Sequence, residues 1–306
     1  MLALTIPWLL ALLTIAAIVC MIKKKWKVAL LLVGVTLALN WWCECIPYRL
    51  FRTQQSLCSK AISVMCFNIN GSDYYTYENA EQVYLLIKKC NPDVVFISEF
   101  ANNYSNCLDS LLKIDYQYTT YPNSMCNHYF YSIYPLVNYR RLVGDKEYSP
   151  GVFVSDVAKG MDTITILGCH LASNNYTNDR TYLTPDSLKY CKDYINYYHN
   201  IKNALSLRRM EIDAIIGELD STNCSAILMG DFNDVSGSDI MCALERHQLK
   251  DAWWEGGVGY GATIHNPLSY RIDHIMYTKG LILQTIKVLC SNGVSDHDAL
   301  YAVFKY

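Results

Sequence analysis

The sequence predicts an α/β layered domain behind an apolar N-terminal hairpin, and three observations lead there. Residues 1 to 46 hold two apolar runs separated by lysines. From residue 61 onward, short β-branched runs alternate with segments of helical periodicity, the pattern of strands and helices packed in layers. Those runs also end abruptly in acids, amides and imidazoles, which a strand does not need for packing.

The first run, "MLALTIPWLLALLTIAAIVCMI", carries no charge, and as a helix it covers roughly 33 Å, enough for a bilayer core. After Lys23, Lys24, Lys25 and Lys27 comes "VALLLVGVTLALNWWC" (28 to 43), short for a span but ending in Trp41 and Trp42, which suit a membrane interface. A cleaved signal peptide wants basic residues before the apolar run and a small-residue cleavage site after it, and this stretch shows neither. The expectation is therefore two transmembrane helices within 1–46 with a basic loop at 23–27, a linker over 47–60, and a folded domain over 61–306. A single signal-anchor is the alternative. The loop lysines outnumber Arg49 and Arg52, which places the loop in the cytoplasm and the domain on the extracytoplasmic side; the orientation reverses if only the first run spans.

With 52% hydrophobic and 18% charged residues the composition is that of a globular protein. Residues 53 to 306 carry 20 Lys and Arg against 27 Asp and Glu, a balance of −7 that disfavours broad capture of nucleic acid but leaves room for a locally basic groove. The thirteen cysteines lack the spacing of a disulfide scaffold, and without a CxxC pair a structural zinc site is not expected. Cys66, Cys169 and Cys290 fall in apolar runs and read as small buried hydrophobes.

Taken in order, "AISVMCFNIN" reads as a buried strand ending in Asn68 and Asn70. In "YENAEQVYLLIKKC", Ala80, Val83, Tyr84 and Ile87 share one helical face, and Asn91-Pro92 stops the helix. "VVFISEF" is a second buried strand ending in Glu99. Residues 127 to 158 look hairpin-like, and "YSIYP" within them holds Tyr131, Ser132 and Pro135. "DTITILGCHLAS" ends in His170 and Ser173, Thr184-Pro185 opens a long helix to about Leu219, and "SAILMGDFND" ends in Asp231 and Asn233. "SGSD" (236 to 239) begins a helix as a capping box, "YRIDHIMYT" carries Asp273, and the last strand follows Asp296 and His297.

Gathered into one crevice, these strand ends supply hard oxygen ligands for Mg²⁺, amides for positioning and imidazoles for proton transfer. The chain has no GxSxG elbow, Walker loop or HExxH helix, so metal-assisted hydrolysis of a phosphoester is the chemistry that remains. The ordered set "FNIN", "PDVVFISEF", "GCHLAS", "MGDFND", "YRIDHIMY" and "SDHDALYAVF" resembles the endonuclease/exonuclease/phosphatase superfamily, which includes pancreatic-type DNases, exonuclease III-like nucleases, neutral sphingomyelinases and inositol-polyphosphate 5-phosphatases. Each motif alone is weak, but six in order over residues 61 to 306 are specific.

The resemblance implies a four-layered α/β sandwich, two packed mixed sheets flanked by helices. It implies Glu99 as the main Mg²⁺ ligand, Mn²⁺ being a possible substitute, with Asn68, Asn70 and Asp296 nearby. Asp231 would orient or deprotonate the attacking water and Asn233 would hold a phosphate oxygen. His297 would contact the scissile phosphate, its tautomer fixed by Asp273, and His170 would serve the leaving side. Ser173 stands where some nucleases have an asparagine that touches phosphate, and Asn70 replaces an aspartate of abasic-site nucleases. Both departures weaken those assignments.

Taken singly, Asn68, Asp231 and Asn233 read as turn formers and His170 as a core histidine. Asp234 and Asp298 read as turn or surface residues, and His128, His247 and His265 receive no role. The expected function is a membrane-tethered Mg²⁺-dependent phosphodiester hydrolase that is nuclease-like. Its substrate would be nucleic acid or, alternatively, a phospholipid or sphingolipid head group, and residues 1–46 would meet the bilayer. The rival from another class is a membrane-anchored interaction module on a dead enzyme fold, argued against by the retention of Glu99, Asp231 and His297.

Overall fold

The computed structural model describes residues 2–49, 60–70, 77–100, 105–120, 127–143, 151–174, 192–222, 224–265 and 269–306. Two helices, α1 (Leu2–Ile22) and α2 (Trp26–Cys43), form the N-terminal hairpin, and both are long and apolar enough to cross a membrane. Lys23 and Lys24 form the turn between them, whereas Lys27 already belongs to α2.

The domain holds two six-stranded mixed sheets. In the first, β1 (Ala61–Asn68) runs parallel to β2 (Val94–Ser98), with β4 (Tyr129–Ser132) and β3 (Tyr118–Thr119) on one side and β12 (Ala299–Lys305) and β11 (Ile282–Leu289) on the other. The second is ordered β5 (Leu136–Val143), β6 (Gly151–Lys159), β7 (Asp162–His170), β8 (Ser225–Asp231), β10 (Asp273–Tyr277) and β9 (Lys250–Asp251). Only β7 and β8 run parallel in it.

Side chains alternate across each strand, so every central strand feeds two cores. Val64, Cys66 and Phe96 meet Phe153, Ile166 and Met229 between the sheets. Met65, Phe67 and Val95 pack outward on Val83 and Ile87 of α3 (Tyr77–Cys90) and Leu108 and Leu112 of α4 (Ser105–Asp115). Leu167 and Leu228 pack outward on Ile212 and Ile215 of α5 (Lys192–Ser221) and Leu244 of α6 (Asp239–Arg246). The result is the helix–sheet–sheet–helix sandwich expected from the sequence. A short helix, α7 (Ala252–Gly256), completes the elements of the described residues.

Several expectations change in detail. The stretch 127 to 158 is not one hairpin, because β4 joins the first sheet while β5 and β6 pair in the second. The long helix is described from Lys192, and Thr184-Pro185 lies outside the described residues. Ser238 caps α6 by accepting from the Met241 N–H, but Met241 stands where a capping box needs Glu or Gln, so only half of the box forms. Cys66 and Cys169 are buried, but β11 stops at Leu289 and leaves Cys290 exposed. All ten described cysteines are free.

Candidate functional site

Strand register assembles half of the site. His170 at the end of β7 pairs with Asp231 at the end of β8, and Asp231 pairs with Asp273 at the start of β10. Three neighbouring strands thus present their polar ends at one edge of the second sheet. Asn68 ends β1 of the facing sheet beside Ser98, and Glu99 follows at once. Asn70, Glu99 and Asn233 all have left-handed backbones, with φ of 42°, 57° and 51°, turning the chain out of its strands at the site.

Gly230, just before Asp231, explains how β8 comes so close. Its φ is 140°, and a Cβ there would lie 1.9 Å from the Cys169 carbonyl oxygen. Only glycine lets β8 approach β7 while holding Asp231 beside His170.

The Asn68 amide ties the two sheets together, its Nδ2 donating to Glu99 Oε1 at 2.9 Å and to Asp231 Oδ2 at 3.0 Å. Its Oδ1 accepts from the Asn70 N–H at 2.9 Å, so Asn68 meets the carboxylates through nitrogen rather than oxygen. His170 Nε2 stands 3.3 Å from Glu99 Oε1 and 3.8 Å from Asp231 Oδ2. His297 Nε2 lies 3.9 Å from the same Asp231 oxygen, and its Nδ1 is 2.8 Å from Asp273 Oδ2. Asp231 Oδ1 is used by the Asn233 N–H at 2.8 Å, and Asn233 Nδ2 donates to the Leu171 carbonyl at 2.9 Å.

Asp231, Asp273 and His297 are only 2%, 1% and 5% exposed, so their charges matter to one another. Burial opposes a charge on His297, but Asp273 in contact, with Asp231 and Asp296 behind it, outweighs this and pushes the imidazolium up to about 10. At neutral pH His297 is a positively charged donor.

Glu99, His170 and Asp231 have the chemistry of a cation site; Asp231, Asp273 and His297 cluster as tightly, the atoms of each group lying within 4.8 Å of one another, but a charged His297 has no lone pair to give a metal. Asp296 Oδ1 is also buried without a hydrogen-bond partner, an orphaned hard acceptor. Carboxylate oxygens with an imidazole fit a divalent cation. Ser173 is half-buried in the turn after β7, two residues beyond the Leu171 carbonyl that anchors Asn233. In "YSIYP", Tyr131 donates to Asp109 and Ser132 accepts from the Tyr134 N–H.

Other residues around the site were not singled out by sequence pattern. Arg208, buried on α5, donates to the Asn233 carbonyl and to Asn174 and faces Asp234 at 3.4 Å. Glu211, one turn later, accepts from the Ala172 N–H at 3.0 Å, and burial pushes its carboxyl up to about 7. His128 is buried with its ring 5.3 Å from that of His170. Asp234 and Asp298 are buried rather than at the surface; Asp298 accepts from the Ser291 N–H and pairs with His265. Arg271 holds Asp251 at 2.6 Å and lies 2.9 Å from His274, and these two outweigh the cost of burial to keep the Asp251 carboxyl well below its usual range. A residue such as Arg208 carries one sequence signal, a charge on the apolar side of a helix.

No curated protein matches the chain. Solved structures do match, at identities that establish the fold alone. Humanized D. rerio TDP2 is 15% identical with a TM-score of 0.61, covering 81% of this chain and 100% of its own. An endonuclease/exonuclease/phosphatase from Bacteroides vulgatus is 15% identical with a TM-score of 0.59, covering 81% of this chain and 99% of its own. D. rerio TDP2 complexed with single strand DNA product is 15% identical with a TM-score of 0.60, covering 80% and 99%. The Endonuclease/Exonuclease/phosphatase family model matches residues 65–297, which include every candidate residue from Asn68 to His297. With that match over most of its length, and with the sandwich fold on which those residues converge, the chain belongs to the Endonuclease/Exonuclease/phosphatase family.

Proposed function

We propose that the chain is a divalent-cation-dependent phosphodiester hydrolase, tethered to a membrane by residues 1–46, with its hydrolase domain over 61–306. The observation that carries this reading is the joining of both sheets at one point, where Asn68 bridges Glu99 and Asp231 beside the Asp273–His297 pair. Glu99, with Asn70 and Asp296, would hold Mg²⁺ or Mn²⁺, which when bound polarises the phosphoryl oxygens.

The remaining chemistry belongs to the chain's own residues. Asp231 Oδ2 takes a proton from the attacking water, its other oxygen being occupied by the Asn233 N–H. Asn233 uses one amide hydrogen on Leu171 and keeps the second for a phosphate oxygen. His297, charged and oriented by Asp273, donates to the phosphoryl group as negative charge grows there. His170 Nε2 serves the leaving oxygen, and Ser173 adds a phosphate contact.

A nucleic acid substrate draws support from the single strand DNA product held by D. rerio TDP2, and the acidic balance of the domain weighs against it. The lysines between the two helices favour a reading in which that turn faces the cytoplasm and the domain the extracytoplasmic side. The test is hydrolysis of bis-p-nitrophenyl phosphate, plasmid DNA, RNA and lipid head groups by the full chain with Mg²⁺. Turnover of any of these that is lost in Asp231→Ala and His297→Ala is expected. Turnover of none would instead indicate a scaffold without activity.

A further inference from the structure

We propose that the sandwich carries a second binding site, remote from the hydrolytic cluster: a cation-rimmed cavity that takes a small phosphorylated polyol, meaning a phosphate monoester on a hydroxylated carbon skeleton.

The cavity measures 350 Å³, within the range of about 300–1,000 Å³ usual for small-molecule sites. It is lined by β9 and β11, the end strands of the two sheets, and by α7. Lys250 of β9 and Tyr277 of β10 are paired across the second sheet and contribute one wall, residues of β11 contribute another, and Glu255 of α7 completes the lining. Tyr277 and Asp273 stand at opposite ends of β10. Four residues at about 3.4 Å each put roughly 14 Å between them, so the cavity is separate from the cluster that holds His297.

The charge of this cavity runs against that of the domain. Arg49, Lys250 and Lys279 line it, with Glu255 as the one acid among its lining residues, whereas residues 53–306 as a whole are acidic. Among the described residues, no ion pair or hydrogen bond engages the side chain of any of these three cations. Charges of one sign around a concavity focus their field on its interior, so an anion entering it relieves the repulsion among them.

The floor selects the kind of anion. Tyr277 is 3% exposed and its ring packs on Phe304, yet its hydroxyl has no hydrogen-bond partner among the described residues and is not sealed from solvent, so it opens into the cavity it lines. Burial and the Glu255 and Asp251 charges push that hydroxyl above its usual range, with Arg49 acting the other way, so it stays protonated as a donor. Gln284, 6% exposed, uses its amide nitrogen on the Ile282 carbonyl at 3.4 Å and keeps its amide oxygen as an acceptor. A phosphate monoester brings close to two charges and three terminal oxygens to the three cations and the tyrosine hydroxyl, where a carboxylate brings one charge and two oxygens. The Gln284 oxygen and the Glu255 carboxylate need donors, which hydroxyls on the ligand's skeleton supply.

The test is titration calorimetry of the full chain in non-ionic detergent with a chelator present, using ribose 5-phosphate, ribose and inorganic phosphate as probes. Ribose 5-phosphate should saturate a site with a dissociation constant below about 1 mM. Ribose alone and phosphate alone should each bind at least about tenfold more weakly. Lys250→Ala/Lys279→Ala, at two exposed positions, should weaken ribose 5-phosphate at least about tenfold. Tyr277→Phe, which keeps the packed ring, should weaken it about threefold or more, and His297→Ala less than about twofold. Three results would each overturn the proposal: no saturation by ribose 5-phosphate, inorganic phosphate bound as tightly as the sugar phosphate, or binding kept in Lys250→Ala/Lys279→Ala and lost in His297→Ala.

Discussion

Asp273→Asn keeps the shape of the side chain beside His297 and removes its charge. The imidazolium is raised from 6.5 to about 10 in the fold, a difference worth roughly 5 kcal/mol at about 1.4 kcal/mol per unit. That is the net of burial, which opposes the charge, and three carboxylates, of which Asp273 is the one in contact at 2.8 Å. A raised folded value means that the stabilisation is fully present below pH 6.5 and is lost as pH rises through about 10. In the variant, Asp231 and Asp296 alone must offset burial, so the alkaline limb of kcat/KM should fall from near pH 10 to neutrality or below. At pH 7, kcat should drop by about 10²- to 10⁴-fold, because His297 loses both its charge and its orientation. Burial raises the Asp273 carboxyl as well, which offsets part of that stabilisation, so unfolding in urea should show a loss smaller than the His297 shift alone implies at pH 7, shrinking as the pH approaches 10. A pH–rate profile with an unmoved alkaline limb, or a stability loss independent of pH, would refute this reasoning.

Glu211→Gln keeps an acceptor for the Ala172 N–H while removing a carboxyl raised from 4.5 to about 7. An acid raised by burial costs stability as pH rises above its unfolded value of 4.5, the cost being complete above about 7, so the variant should be more stable at pH 8, by up to about 3 kcal/mol, and nearly unchanged at pH 4 and below, as read by urea midpoints. Gly230→Ala forces a methyl against the Cys169 carbonyl at a φ of 140° and should cost about 3 kcal/mol or more; a Tm within a degree of wild type would contradict the close approach. Arg208→Met strips the donor from the Asn233 carbonyl and leaves Asp234 facing no cation, so kcat should fall at least about tenfold with KM nearly constant. A change in KM alone would place Arg208 outside the positioning of Asn233.

The site was legible in the sequence wherever it followed from the end of a buried strand. Asn68, Glu99, His170, Asp231, Asp273 and His297 each border an apolar run that must be internal, so a polar residue there either faces a crevice or is buried at a cost. Their convergence also needed register, and the pairing of His170, Asp231 and Asp273 across three strands is a tertiary fact that no local pattern carries. Arg208, Arg271 and His128 were illegible for a related reason: Asp234, Asp251 and His170, which they respectively meet, lie 20 or more residues away in sequence, and only the assembled layers show that they are buried and paired. Asp298 looked like a turn residue because one of its contacts, His265, lies 33 residues before it and meets it only in the assembled fold. The two apolar runs were plain as helices, yet nothing in their composition foretold that Leu10 and Cys43 would be seated against the turn that carries Asn233.

In the proposed function, the cluster around Asn68 and Asp231 hydrolyses phosphodiesters with a divalent cation. Its most direct test is the rate of bis-p-nitrophenyl phosphate hydrolysis by the full chain, titrated with Mg²⁺ or Mn²⁺ and then with a chelator, for wild type and Asp231→Asn side by side. Saturable cation-dependent turnover is expected, abolished by the chelator and lowered by about 10²-fold or more in Asp231→Asn. Turnover indifferent to the chelator, or equal in the two proteins, would contradict it.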